Sequence, residues 1–360
     1  MRKRLCGFIL ALFPALLLCA CGEAPAEPTS APETPAAEFV LTDESADEIL
    51  ALADIPELEY VDGRQSHEYA ALLELYGKRP DCRVIWTYKL GGTVYPSDTR
   101  ELRVTELEGL EDALRYLPEL SYVDLIDSPA VLEDMDRFSA IRPDIFYYWS
   151  FVHDGFTIRT DIQCYSTLRD ADYHRFTSEE LYPLLKYCKK LKALDLGHND
   201  VTDLTLIGKL TELEVLILAD NPNLVDTSPL KELSNLIYLE FFLNDQVEDF
   251  SFLDSLPRLR DLNLCYCSKL DSLSFLENMP EISFCMLKFC GVSGDELDYW
   301  RGRYPETNFV TYDGNVHSCD SGWRDTQRNR QIRYAFTNWR HVTDYRRYDD
   351  VDFNFDGYNY

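Results

Sequence analysis

The side chains with which this 360-residue chain could do acid–base or metal chemistry are six histidines and sixty-three carboxylates. A helical zinc site needs two histidines four residues apart with a glutamate between them. His67, His153, His174, His198, His317 and His341 offer no such spacing. Paired carboxylates could cleave glycosides, but with so many acidic residues a pair read from sequence carries no information. Gly291-Val292-Ser293-Gly294 lacks the second glycine of a nucleophile elbow at its required place, and no strand–turn–helix pattern surrounds it. Asp352, Asn354, Asp356 and Gly357 begin like a calcium loop, yet Tyr360 precedes the place of the closing bidentate acid. A polar aromatic tail is the default reading there. No phosphate loop or dinucleotide fingerprint is present, so neither an enzyme nor a cofactor or metal site is expected.

Eleven cysteines suggest a metal cluster or a disulfide framework, but their placement argues against convergence. Cys6, Cys19 and Cys21 belong to the first twenty-one residues. Cys285 takes an inward position of the frame described next, and Cys267 and Cys290 take its ninth place. Cys265 falls on the opposite side of its strand from Cys267. Adjacent strands about 4.8 Å apart would allow a Cys267–Cys290 disulfide on distance alone. Reduced thiols standing in for asparagine are the preferred reading.

That frame is the strongest pattern in the chain. Leucine, leucine, leucine and asparagine occupy places one, four, six and nine as Leu191, Leu194, Leu196, Asn199 and again as Leu213, Leu216, Leu218, Asn221. It continues as Leu236, Leu239, Phe241, Asn244, then Leu259, Leu262, Leu264, Cys267, then Ile282, Cys285, Leu287, Cys290. The starts lie 22, 23, 23 and 23 residues apart. Places one, four and six point inward, so like packs on like from strand to strand. The ninth residue is expected to bond buried backbone at the bend. This frame resembles the leucine-rich repeat, whose units stack as a solenoid with a curved parallel sheet.

The N-terminus is expected to export the chain. Arg2, Lys3 and Arg4 precede an apolar run from Leu5 to Leu18, too short to span a bilayer. Leu18-Cys19-Ala20-Cys21 fits a bacterial lipobox with Cys21 as the lipidated residue. Residues 1–20 are then the signal peptide and 21–38 a tether rich in Pro, Ala and Glu. Cleavage removes three positive charges and takes the formal charge from −28 to −31, which disfavours nucleic acid and anionic lipid headgroups.

Residues 39–176 contain a longer duplication. Leu58-Glu59-Tyr60-Val61-Asp62 recurs at Leu120 to Asp124, Arg79-Pro80-Asp81 at Arg142 to Asp144, Trp86 at Trp149 and Leu102-Arg103 at Leu168-Arg169. Each copy reads as a strand, a helix (His67 to Lys78; Ala130 to Ala140) and a hairpin, turning at Gly91-Gly92 or at His153-Asp154-Gly155. In residues 177–312, Thr177-x-x-Glu180 is a capping box opening a helix into the first short repeat. The return segments around Val201–Leu206, Phe250–Phe252 and Leu273–Phe275 are too compact for full helices. A helix at Asp295 to Arg303 and a strand at Thr307 to Tyr312 complete this part. Residues 313–360 are expected to cap the solenoid: from Val316 onward seven arginines balance seven aspartates, and Asp325 to Trp339 reads as a basic–aromatic helix.

The lattice, the lipobox and this order of parts together resemble leucine-rich-repeat lipoproteins of Gram-positive gut bacteria, related to the internalin type. Gly322-Trp323-Arg324 with its Arg-rich helix resembles a C-terminal element of such proteins. The long N-terminal units depart from internalins. The resemblance implies display on the extracellular face of the cell membrane and recognition of a protein ligand. Places three, five and seven face the concave sheet as columns: Ala193, Val215, Tyr238, Asp261, Phe284; Asp195, Ile217, Glu240, Asn263, Met286; Gly197, Ala219, Phe242, Cys265, Lys288. Just beyond come Leu243, Tyr266 and Phe289. Tyr238, Glu240, Phe242, Asp261, Asn263, Tyr266, Phe284, Met286 and Lys288 are the expected partner-binding residues, since aromatic patches supply contact energy at interfaces. The competing reading is that the C-terminal segment folds over this face and makes the aromatics core. Glycan binding and an envelope-structural role are the alternative functions.

Two acyl chains at about 0.8 kcal/mol per buried methylene would hold the protein to a membrane. In producing cells fed an alkyne palmitate analogue, the wild-type chain is expected to take label and sediment with membranes. Cys21→Ser should do neither, and a labelled Cys21→Ser chain would refute the lipobox.

Overall fold

The computed structural model describes residues 37–153, 156–167, 174–312, 314, 322–326, 328–333 and 336. The expected signal peptide, Cys21, most of the tether, the Asp154-Gly155 turn, Leu168-Arg169 and the calcium-like tail lie outside them. The chain divides into two compact units, Met1–Val84 and Ile85–Tyr360. Among the described residues no helix is long and apolar enough to cross a membrane.

In the first unit, strand Ala37–Val40 pairs in parallel with Leu58–Asp62, and Arg83–Ile85, where the units join in sequence, completes the sheet. Helix Ala46–Ala51 is opened by Ser45, whose N–H donates to Glu48 Oε2 at 3.0 Å. Helix Tyr69–Lys78 buries Ala71 and Leu72 and, one helical turn on, Leu75. After it, Arg79 is held planar by Asp81 (3.0 and 2.8 Å) and donates back to the carbonyls of Ile55 at 2.5 Å and Leu58 at 3.0 Å. It thus adds a charged donor to the carbonyls of the preceding turn.

The second unit repeats the device. Arg142, held by Asp144 (2.9 and 2.8 Å), donates to the carbonyls of Leu114, Leu117 and Leu120. The hairpins match as well: strands Thr87–Leu90 and Thr93–Pro96 turn at Gly91 and Gly92, both left-handed, and Ser150–His153 pairs with Phe156–Arg159. The N–H of Trp86 donates to Ser97 Oγ at 3.2 Å, as that of Trp149 does to Thr160 Oγ1 at 3.0 Å. The duplication read from the sequence therefore repeats hydrogen bonds as well as residue types. A small parallel sheet, Glu101–Arg103, Tyr122–Asp124 and Phe146–Tyr148, lies between the hairpins in sequence.

The second unit also carries a seven-stranded parallel sheet in chain order: Cys164–Ser166, Ala193–Asp195, Val215–Ile217, Tyr238–Glu240, Asp261–Asn263, Phe284–Met286 and Asn308–Val310. Its register pairs Leu194, Leu216, Leu239, Leu262 and Cys285 in one row, as the frame requires. Two strands flank the five repeats. The first was not anticipated, although Ile162 and Tyr165 place apolar groups at frame places one and four. Return segments are short 3-10 turns, Ile207–Lys209, Ser228–Glu232, Ser251–Ser255 and Ser274–Asn278, which agrees with the compact turns expected. Gly208 is required there, since a Cβ would meet the Pro229 carbonyl oxygen of the next turn at 2.5 Å. Asp203, Asp226 and Asp249 each accept the N–H two residues on, at Thr205, Ser228 and Ser251, and side-chain and backbone hydrogen bonds hold their carboxyls below the ordinary range.

The ninth place stitches the turns together. Asn221 Nδ2 donates to the Leu196 and Leu218 carbonyls at 3.0 Å each, and its Oδ1 accepts from Val201 N–H at 3.0 Å. Asn244 reaches Leu218 and Phe241 in the same way. The thiols of Cys267 and Cys290 keep the arm of this pattern that reaches the preceding turn, donating to Phe241 at 3.4 Å and Leu264 at 3.0 Å. Each is the sixth-place carbonyl of the preceding turn. Asn221→Ala should therefore lower stability in urea titrations by about 3 kcal/mol, as buried backbone groups lose partners. Asn221→Cys should lose about half as much, because one donor remains; equal losses would sink this account.

Candidate functional site

The columns expected to form the recognition wall do converge. Strand register aligns Ala193, Val215, Tyr238, Asp261 and Phe284 in one row and Asp195, Ile217, Glu240, Asn263 and Met286 in the next. Their exposure differs from expectation. Tyr238, Glu240, Phe242, Asp261, Asn263, Phe284, Met286 and Lys288 are all buried, and only Tyr266 of the nine is partly open. An open wall is thus corrected to a covered one, and the cover comes from Trp323 and residues 328–333.

Trp323 anchors it. The indole is 1% exposed and sits against Tyr238 (ring centroids 5.1 Å) and edge-on to Phe284 (5.4 Å). Residues 328–333 are helical, and three of their polar side chains reach the wall. Arg328 Nη1 lies 3.0 Å from Asp261 Oδ2, with the two side chains 2% and 1% exposed. Asn329 Nδ2 donates to Tyr238 Oη at 2.6 Å, and the Tyr238 hydroxyl in turn donates to Glu240. Arg333 Nη2 reaches Glu240 Oε2 at 3.2 Å. Ile332 and Phe336 are buried beside them in sequence. Of the expected helix from Asp325 to Trp339, only residues 328–333 and 336 are described as helical. The sequence reading missed these contact residues, although their signal was present: arginines five places apart, behind a tryptophan, on an otherwise acidic chain.

Asp195 is a third buried carboxylate of the wall. It accepts from Ser166 Oγ and from Gly197 N–H, both at 3.0 Å. Burial pushes its carboxyl up, while the positive charge of Arg333 and the Gly197 bond pull it down. Burial likewise raises the Tyr238 phenol well above its usual value, helped by the neighbouring Glu240.

The geometry is that of a phased repeat array with one lattice face and one wall face. A family model described as Leucine Rich repeats (2 copies) matches residues 189–232. The repeat sheet is a leucine-rich-repeat solenoid. Among solved structures, internalin C2 of Listeria monocytogenes is 22% identical, with 58% of this chain and 76% of that chain covered and a TM-score of 0.31. A second Listeria monocytogenes internalin (inlF) is 15% identical, covering 74% of this chain and 64% of that chain at a TM-score of 0.33. A leucine-rich-repeat protein of Leptospira interrogans is 12% identical, covering 72% and 74% at a TM-score of 0.29. No curated protein matches the sequence.

At the border of the wall, the eighth place of every leucine-rich repeat is left-handed: His198, Asp220, Leu243, Tyr266 and Phe289 have φ between 54 and 61°. Such a backbone costs a non-glycine residue roughly 1–2 kcal/mol. The N–H so turned donates to the seventh-place carbonyl of the next repeat, His198 to Ala219, Asp220 to Phe242, Leu243 to Cys265 and Tyr266 to Lys288, at 2.7–2.9 Å. The later side chains form a ladder: Tyr266 stacks on Phe289 at 4.4 Å, and Phe289 meets Tyr312 at 4.6 Å. Leu243 and Tyr312 are exposed.

The Asp195 carboxyl binds its proton more tightly folded than unfolded, so its contribution to stability falls as pH rises from the ordinary 3.8 through the raised folded value. Asp195→Asn still accepts from Gly197 N–H through its Oδ1, can donate from Nδ2 to Ser166 Oγ, and removes that slope. Melting curves across pH 3.5 to 7.5 should show the variant gaining on wild type as pH rises; a gain confined to low pH would contradict the burial argument.

Proposed function

We propose that this chain is a lipid-anchored, extracellular, non-enzymatic protein that recognises another protein through the wall of its leucine-rich-repeat sheet. Stacked repeats supply extended surfaces for protein–protein interaction, and this fold class is used chiefly in that way. One observation carries the reading to the wall: it already holds a peptide segment, the chain's own, by an aromatic anchor and side-chain bonds to three wall residues, Tyr238, Glu240 and Asp261. That is the chemistry of a peptide receptor, with a packed aromatic centre and charged groups that select the ligand. Among the described residues no group of histidine, cysteine or acidic side chains could hold a metal ion. Glycan stacking needs open ring faces, and Phe289 is flanked by Tyr266 and Tyr312, so the protein reading is preferred.

The mature chain, tethered by its anchor to vesicles, is expected to capture one or a few extracellular proteins. Capture by the Glu240→Gln, Asp261→Asn double variant should fall at least about tenfold, as charged contacts at interfaces are worth a kcal/mol or more. Val94→Ser, on an exposed hairpin position, should leave it unchanged. If both variants capture equally well, the wall is not the recognition surface; selective binding on a glycan array would favour the alternative ligand.

A further inference from the structure

The contact of Trp323 and residues 328–333 with the wall is an unusual way to build a permanent cap. A cap that only closes a core is best made of apolar side chains, because a fully buried ion pair barely repays its desolvation. Here the wall presents Asp195, Glu240, Asp261, Asn263 and Lys288, all buried, and the segment answers with Arg328, Asn329 and Arg333. The anchor is also imperfectly matched as core. Trp323 Nε1 is buried with no hydrogen-bond partner among the described residues, whereas a buried indole N–H normally finds one.

These features fit a wall that must be stable in two states. Uncovered leucines would be an aggregation hazard, but uncovered carboxylates are solvated by water. The opposite face of the same strands, with Leu194, Leu216, Leu239 and Leu262 at 0% exposure, has no such tolerance. Charge is therefore placed only on the face that the segment covers. Ion pairs of this kind are best attested as devices for specificity and switching rather than for stability.

We propose that the segment bearing Trp323, Arg328 and Arg333 is a releasable intramolecular ligand that keeps the wall closed, and that the external partner carries the same chemistry. That partner is a basic protein segment with one aromatic anchor and two guanidinium groups placed to meet Asp261 and Glu240. The chain's acidity, with a formal charge of −28, adds long-range attraction for such a segment. The inference rests on the wall being the recognition surface, and it adds the partner's chemical class and the closed resting state.

Two measurements on the full chain test it. In native-state hydrogen exchange with increasing urea, the amides of residues 328–333 are expected to exchange at least tenfold faster than those of Val215–Ile217 and Tyr238–Glu240, through an opening that exposes little surface. Exchange of segment and strands together, in one global opening, would make the segment a fixed cap and overturn the proposal. In the second, a labelled peptide of residues 321–338 is titrated into wild type and into Trp323→Ala, whose own segment has lost its anchor. The variant is expected to bind the peptide at least tenfold more tightly, and Asp261→Asn added to that background should weaken binding by tenfold or more. Equal peptide affinity for wild type and Trp323→Ala overturns the proposal, as does a dimer of the native chain that the peptide dissociates, which would put the segment in a second copy. Neither measurement uses an external partner, so failure to capture one would count against the function and not against the releasable segment.

Discussion

Each turn of the repeat sheet presents a carbonyl at its sixth place that accepts a bond from the next turn. The donor is fixed at the ninth place, Asn221 to Leu196, Asn244 to Leu218, Cys267 to Phe241 and Cys290 to Leu264. Water cannot reach these bends, since Asn221, Asn244 and Cys267 are all buried. An inserted residue would carry the donor away from that carbonyl and break the bond between turns, which explains the constant interval between frames. Thiols suffice in the last two turns because the bond between turns needs only one donor. The asparagine amide adds a bond to its own turn, and in the last two turns the main chain supplies that bond, from Cys267 N–H to Leu264 and from Cys290 N–H to Leu287.

Given that phase, alternation along each three-residue strand does the rest. Places four and six must be apolar, because they are buried in the lattice. Places three and five are released from that demand and can carry charge. The chain uses this freedom unevenly: Ala193 and Val215 in the early turns, then Tyr238, Asp261 and Phe284 where Trp323 and Arg328 arrive. The neutral, arginine-bearing composition of the C-terminal part and the acidic wall are two halves of one arrangement. Each half would be costly to bury alone.

The lattice, its register, the Thr177 capping box, the compact return turns and both hairpins were legible because each is written in local spacing. Thr177 N–H does donate to Glu180 Oε2, at 2.8 Å. The duplication was legible too, but not its purpose: Arg79 and Arg142 act on carbonyls more than twenty residues upstream, a distance no pattern within the motif encodes. The cover over the wall was visible only as one of two alternatives. Its decisive pairs join residues 67 to 93 positions apart, and an aromatic column looks the same whether it meets a ligand or a helix of its own chain. The strand Cys164–Ser166 was overlooked because tyrosine replaces leucine at its fourth place. The left-handed eighth place was hidden for a physical reason, since leucine, tyrosine and phenylalanine are among the last residues expected there.

The border ladder places conformational ease and surface chemistry in opposition. At Leu243, Tyr266 and Phe289, glycine would relax the backbone and preserve the N–H that joins one turn to the next, since that bond belongs to the main chain. It would also erase the stacked rings. Selection for robustness alone drives such positions toward glycine or asparagine, so three bulky apolar groups in succession identify a stretch of surface where the molecule forgoes stability in favour of what its rim presents to the outside.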